Sequence, residues 1–511
     1  MSGYKIVAAA LFGAAIWLIR LLLRERSPKL DFPVMGSASD SEFSQAVLKG
    51  FEKYPDTPFI IPANPQLVIL PMSMYMESKT HPVADVSAER NERFMGHWTR
   101  AGVQNTEIYS AIRQDLSKNL NIVLPLIQDE TKYAFKELNI QSEWTSVNIN
   151  SAMLRMIALI SGRVFVGSPL SRSEEWLGAS INYTRALSKV QDDYLDLGPV
   201  LSNIAAPFLS SVWRARGYMT KAQTWMRPLV AEILAAEKTM DGPSKAGVTG
   251  CFISWLLKYI PDAHKTATRV GEDQMIVSFA AIHTTSNTAA MAILDLASRP
   301  QYIGELREEV ETVVTEEGEQ NEDGNIYLGK AAFAKMKKLD SFIKESQRFN
   351  SLAFVTPAYK LLSNATFSNG IKLPKGTRIT FPHHGLAMST TNKSLSPENN
   401  VEAGNAGPNV FDGFRYARLR ELPGLESKHQ AASTGLDNLT FGHGPHACPG
   451  RFFAIYKVKN LLVELLLNYD FRLAGTRDGH DQEAIRPVNV AHKISNMPNP
   501  GAVLEVRVRR T

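Results

Sequence analysis

One ten-residue loop constrains this chain more than any other stretch. It reads Phe441-Gly442-His443-Gly444-Pro445-His446-Ala447-Cys448-Pro449-Gly450, and an amphipathic run follows at once. The glycines let the backbone bend and approach a flat surface closely. The loop therefore presents a single sulfur at the mouth of a helix. A helix start carries partial positive charge and free N–H groups, which favour sulfur as the anion. A thiolate with no partner cysteine nearby suits one-sided axial ligation of a flat metal cofactor.

The rest of the chain must enclose that loop. It has 511 residues, of which 44% are hydrophobic and 21% charged. Length alone would suggest roughly two to four units. No Gly/Ser-rich or Pro-rich linker divides the chain after its N-terminal segment, so one large domain is expected. The net charge of +5 is mild and does not point to nucleic acid. Cys251 and Cys448 are the two cysteines, which excludes a disulfide framework and places the body in a reducing compartment. Cys251 sits in the apolar stretch Val248-Thr249-Gly250-Cys251-Phe252-Ile253 and is expected to be a small buried hydrophobe.

The N-terminus reads as a membrane address. Ile6 to Leu23 is apolar apart from Arg20, which lies near one end and can reach the interface. Arg20, Arg24, Arg26 and Lys29 follow without a small-residue cleavage site, so a retained anchor is expected rather than a signal peptide. By the positive-inside rule the basic end stays cytosolic. This gives a single-pass protein of the endoplasmic reticulum with a cytosolic body. The expected divisions are an anchor over 1–26, a hinge and domain start over 27–50, and the catalytic domain over 51–511.

Periodicity predicts a mainly α fold with a minor β-sheet (α+β). Phe59-Ile60-Ile61 and Leu67-Val68-Ile69-Leu70, around a Pro-Ala-Asn-Pro turn, predict a hairpin. Met153–Val166, Trp176–Leu195 and Thr220–Thr239 carry apolar residues at helical spacing. An unusually long helix is expected from Thr266 to Ala297, apolar nearly all round at its centre and so buried. Further helices are expected over Gln301–Glu316 and Lys335–Asn350. Val355–Pro382 should form strands, 391–407 a polar surface loop, and Gly501–Arg509 a final strand. No Gly-rich phosphate loop follows a strand, which argues against a nucleotide site.

Four patterns carry chemistry. The first is Phe441-x-x-Gly444-x-x-x-Cys448-x-Gly450, in which backbone N–H groups would be aimed at sulfur and Phe441 would shield it. The second is Glu345-Ser346-Gln347-Arg348, whose spacing sets carboxylate and guanidinium on one helical face. Arg415, in Phe411-Asp412-Gly413-Phe414-Arg415, would complete a cluster that locks the cysteine loop. The third is Ala280-Ala281-Ile282-His283-Thr284-Thr285 in mid-helix, where a hydroxyl can bond back one turn and loosen the helix. The fourth is basic: Arg415, Arg418, Arg420, Arg451, Lys457 and Lys459 would form a docking face for an acidic electron donor.

Together these patterns, across essentially the whole chain, resemble the cytochrome P-450 family of haem-thiolate monooxygenases. Ala281-Ile282-His283-Thr284-Thr285, Leu339 to Arg348 and Cys448-Pro449-Gly450-Arg451-Phe452-Phe453-Ala454 are similar to fungal members of secondary metabolism. The resemblance implies haem b with Cys448 as the metal ligand, and Phe441, Gly444, His446 and Gly450 around the cofactor. It implies Thr284 and His283 as the catalytic proton-handling pair. The implied partners are NADPH–cytochrome P-450 reductase, with cytochrome b5 as a second donor, and membrane lipid through the N-terminal helix. The implied substrate is an apolar small molecule, a diterpene or indole-diterpene terpenoid, with polyketide and alkaloid scaffolds as alternatives. Its pocket would be lined partly by Phe279 and Ile282. Two positions depart from the family pattern: His283 stands where an acid is usual, and His446 where many members carry Arg. Other readings are a haem-thiolate isomerase or dehydratase working without a reductase, which retention of Thr284 disfavours, and a tethered haem-binding protein without turnover.

Overall fold

Capping side chains set where many of the helices begin. The computed structural model describes residues 30–238, 251–322, 324–389, 402–476 and 484–510. Helix α1 spans Ser44–Lys53. Asp85 accepts from the Ala88 N–H and opens α2 (Val86–Arg93). Helix α3 (Leu120–Glu137) is followed by α4 (Ile149–Phe165), opened by Asn148 accepting from Ser151 N–H. Ser173 caps α5 (Glu174–Ala205), whose first turn carries Glu174 and Glu175. Helix α6 (Ser210–Lys238) precedes α7 (Ala267–Ala297), where Thr266 accepts from Arg269 N–H. Then come α8 (Gln301–Glu317), α9 (Lys337–Phe349) and α10 (Arg451–Asn468). The expected helices all form, but α5 runs ten residues past its expected end, across a break at Gly198, and α6 starts ten residues before its expected beginning.

The strands are short and sit to one side. The predicted hairpin is β1 (Phe59–Ile61) against β2 (Leu67–Ile69), with Phe59 opposite Ile69 and Ile61 opposite Leu67. With β3 (Ala84–Asp85), β5 (Tyr359–Leu361) and β6 (Arg378–Thr380) they make a five-stranded sheet in the order β1-β2-β6-β5-β3. Strand β4 (Thr145–Asn148) flanks a second sheet with β7 (Tyr469–Leu473) and β8 (Val503–Val508), the last being the predicted terminal strand. Part of the expected hinge is already structured: Met35 N–H donates to Ile60 O at 2.8 Å, and Phe43 and Val47 are buried.

The membrane anchor expected over 1–26 lies outside the described residues, as does most of the polar loop expected over 391–407. Among the described residues, no helix is long and apolar enough to cross a membrane.

Helix α7 runs through the main core, which also takes side chains from α3, α4, α5, α6, α8, α9 and α10. Its middle breaks the pattern. Between Val270 and Ala297 only Ala280 and Thr284 are exposed, one turn apart on one face, while Ile282, Thr285 and Ser286 are buried. Two exposed residues in mid-helix, with their neighbours packed in core, open onto interior space rather than onto the outer surface.

Candidate functional site

The cysteine loop is built as its glycines require. Gly442 and Gly444 have φ of 66° and 77°, values that a side chain makes costly. A Cβ on Gly444 would lie 2.7 Å from Lys79 Nζ, whereas one on Gly450 would meet no protein atom within 4 Å. Cys448 N–H donates to Phe441 O at 2.8 Å and closes the loop. Gly450 caps α10 with no side-chain bond. The first amides of that helix, Gly450 and Arg451, instead donate to the Cys448 sulfur and pull its pKa down. Burial pushes it up and outweighs them, so the thiol stands above its ordinary value. The helix start thus favours the anion as expected, helped by the charges of Arg451 and Arg90, but burial opposes it.

Cys448 is a free cysteine, exposed by surface area yet desolvated by the protein around it. Both hold if the sulfur faces an interior space. A recessed sulfur, two amides pointing at it and room at Gly450 fit a haem iron with an axial thiolate, the donor chemistry expected of such a site.

Behind the loop stands the predicted ionic cluster, and the structure brings all three members together. Arg348 donates to both Glu345 oxygens, at 2.7 and 2.8 Å. Arg415 Nε reaches Glu345 Oε1 at 3.2 Å, and the Asp412 N–H joins the same oxygen at 2.9 Å. Further guanidinium hydrogens go to carbonyls: Ala387 and Pro408 for Arg348, and Ala406, Gly407 and Val410 for Arg415. All three side chains are buried. Surface pairs of this kind contribute little, but a buried and densely hydrogen-bonded triad fixes a geometry.

The proposed proton handlers part company. Thr284 Oγ1 donates to the Ala280 carbonyl at 2.9 Å, the back-bond expected from sequence. His283 Nε2 lies 3.2 Å from the Ile181 carbonyl on α5. Burial, with Arg185 nearby, lowers its pKa and keeps the ring neutral. A relay through that nitrogen would first have to break the contact with Ile181.

Other expectations need correcting. Ile282 is buried rather than lining a pocket, while Phe279 packs edge-on against Phe94 and Tyr183. The basic docking face does not form from the six residues expected. Arg415, Arg420, Lys457 and Lys459 are buried, and Arg420 and Lys459 both pair with Asp340. Only Arg418 and Arg451 keep access to solvent. Local spacing had grouped them, but helix packing turned four inward.

Lys79 and Arg90 were missed. Both help to lower the pKa of His446, although burial is the larger cause, and Arg90 also acts on Cys448. Near them, Tyr359 is buried, its hydroxyl has no partner among the described residues, and its ring is 6.3 Å from the His446 ring. No local motif marks these residues, because they come from the short helix Tyr75–Thr80, from α2 and from β5. On the far side of α2 a cavity of about 570 Å³ is lined by Asn91, Met95 and His97 and by Pro199, Val200 and Ile204. It is remote from Cys448 in its lining.

Comparison with known proteins bears on this site. The family model described as Cytochrome P-450 matches residues 104–493. The chain is 43% identical over 461 residues to cytochrome P-450 monooxygenase 3 of Gibberella fujikuroi, covering 88% of this chain and 86% of that protein. It is 37% identical to cytochrome P-450 monooxygenase ascG of Acremonium egyptiacum over 95% of this chain and 92% of that protein. Against cytochrome P-450 monooxygenase BOA4 of Botryotinia fuckeliana it is 36% identical, over 100% and 97% of the two chains.

Proposed function

This chain belongs to the cytochrome P-450 family, as a haem-dependent fungal monooxygenase of secondary metabolism, and from that premise we propose how its own residues divide the work. Cys448 would hold the haem iron through its sulfur. The observation that carries this is its recessed sulfur, met by the Gly450 and Arg451 amides. Those amides draw charge from the sulfur and so tune how strongly it donates to a metal. Gly450 would leave room for the ring, Gly444 turns the loop at its positive φ, Phe441 closes the loop through its carbonyl, and His446 with Lys79 and Arg90 would meet the cofactor's carboxylates. When bound, haem supplies the dioxygen chemistry, in which one oxygen atom enters a C–H bond and the other leaves as water.

Thr284 handles a proton at Oγ1. That hydroxyl now donates to Ala280 O, and turning it away frees it to donate toward the interior space that Ala280 and Thr284 face. His283 holds α7 to α5 rather than completing the relay. The Phe94–Phe279–Tyr183 cluster makes the neighbouring wall apolar, which supports a hydrophobic substrate. A terpenoid is the proposed class, with polyketide or alkaloid scaffolds as alternatives. Electrons come from NADPH–cytochrome P-450 reductase, with cytochrome b5 as a second donor. Residues 1–26 anchor the chain in the endoplasmic reticulum, 27–50 lead into the body, and 51–511 form one catalytic domain.

The deciding experiment is expression in microsomes with a reductase. The reduced carbon-monoxide spectrum should show the red-shifted Soret band of thiolate ligation, and Cys448→Ala should abolish it. Feeding terpenoid, polyketide and alkaloid scaffolds, with products identified by mass, then selects the substrate class. Oxidation of polyketides with no turnover of terpenoids would overturn the terpenoid assignment.

A further inference from the structure

Lys457 was expected on a surface and is instead fully enclosed. Its Nζ donates to Ser161 Oγ on α4 at 2.8 Å and to the Ala281 carbonyl on α7 at 3.2 Å. It also stands 4.5 Å from the centre of the Phe453 ring. An ammonium has three donors, and here it finds three acceptors: a hydroxyl, a carbonyl and a ring face. No ionisable group from α4, α7 or α10 contributes to its environment, and burial alone lowers its pKa to about 7. His283, the nearest titratable residue along α7, turns to α5.

The carbonyl it holds is in a special place. Four carbonyls in the middle of α7 accept side-chain hydrogen bonds. Thr284 Oγ1 donates to Ala280 O at 2.9 Å, Ser286 Oγ to His283 O at 3.0 Å, and Thr288 Oγ1 to Thr284 O at 2.9 Å. Such local back-bonds loosen and bend a helix. The fourth, from Lys457 to Ala281 O, comes from another element, α10, the helix opened just after Cys448. An aliphatic side chain would fill the same space beside Phe453 without the cost of burying a charge.

We infer that Lys457 is a positioning residue for Thr284: it ties the loosened turn of α7 to the helix that follows the cysteine ligand, so that the Thr284 hydroxyl keeps its place. The inference rests on the proposed roles of Cys448 and Thr284. Below about pH 7 the side chain is an ammonium with all three donors used. Above that it becomes an amine with one donor fewer, and the tether weakens.

The test uses holoenzyme and reductase, with NADPH and no added substrate, and measures the fraction of electrons released as hydrogen peroxide from pH 6 to pH 9. Dioxygen takes two electrons and two protons to peroxide, or four of each to two waters, so a misplaced proton donor raises the peroxide fraction. The native enzyme should show a rise centred near pH 7. Lys457→Met should be high and flat, raised roughly threefold at low pH, the scale of one lost hydrogen bond. Lys457→Met in a Thr284→Ala background should add nothing. Independently of turnover, native stability relative to Lys457→Met should rise from about pH 7 toward pH 10, because the unfolded amine binds a proton that the folded one has released.

An unchanged peroxide fraction and pH profile in Lys457→Met, with the thiolate–haem spectrum intact, would overturn the inference while leaving the proposed function standing. Absence of that spectrum from the native protein would instead sink the proposed function itself. If Lys457→Met loses its haem, Ser161→Ala carries the test. Removing one acceptor should move the midpoint to lower pH, and an unmoved midpoint counts against the tether.

Discussion

Two regions of the molecule are held in different ways. Behind Cys448, order comes from buried charge: Glu345, Arg348 and Arg415 satisfy one another and a ring of carbonyls. At the outer rim, where α5 ends and α6 begins, a small apolar cluster around Ala206 and Val212 holds the chain while large side chains beside it stay in the open. Gly198 breaks α5 with φ of 76°, and Ile204, Phe208 and Trp213 are 60%, 85% and 59% exposed. A metal ligand needs a fixed position, and a buried ionic network provides one. Apolar surface left in the open forgoes stabilisation, which leaves the rim free to differ in shape at little energetic cost.

The sharpest way to break this contrast is at the ligand. Cys448→Ala should abolish the thiolate spectrum and all turnover while the chain still folds, read by carbon-monoxide difference spectra beside circular dichroism. Next is Glu345→Gln, which strands two buried guanidinium groups. It should destabilise by about 3–5 kcal/mol, seen in urea unfolding, with haem loss following. Retention of native stability would mean that the network is decorative. Thr284→Ala should leave stability near native yet cut the rate of product formation by about a hundredfold or more, within the range known for general acids.

Glycine positions then refine the comparison. Gly444→Ala should cost about 1–2 kcal/mol from its positive φ, with further strain against Lys79. Gly450→Ala should leave the thermal midpoint of haem-free protein unchanged, since its Cβ meets no protein atom, but should weaken haem retention. At the rim, Phe208→Ser should change stability by less than about 0.5 kcal/mol. A large loss there would show that the rim is packed in a way its exposure does not suggest.

Much of this was legible in the residues. The decapeptide around Cys448 specified its own backbone, because positive φ at Gly442 and Gly444 and a helix opening at Gly450 are local requirements. The limits of α7 were readable from the Thr266 cap and the Arg299-Pro300 stop. Glu345 and Arg348 share a helical face by spacing alone. The docking residues were misread because sequence neighbours on a helix can face opposite ways: Arg418 looks out while Arg415 is buried.

The sequence by itself therefore determined most of the elements, the proposed ligand loop and the family, since each depends on spacing within a few residues. Only the tertiary structure decided which polar groups are spent inside. It turned His283 toward Ile181, set Lys79 and Arg90 near His446, and buried Lys457 against Ala281. These contacts join residues more than a hundred positions apart or depend on which helical face is covered. Burial, rather than residue type, then fixes their charge and their partners.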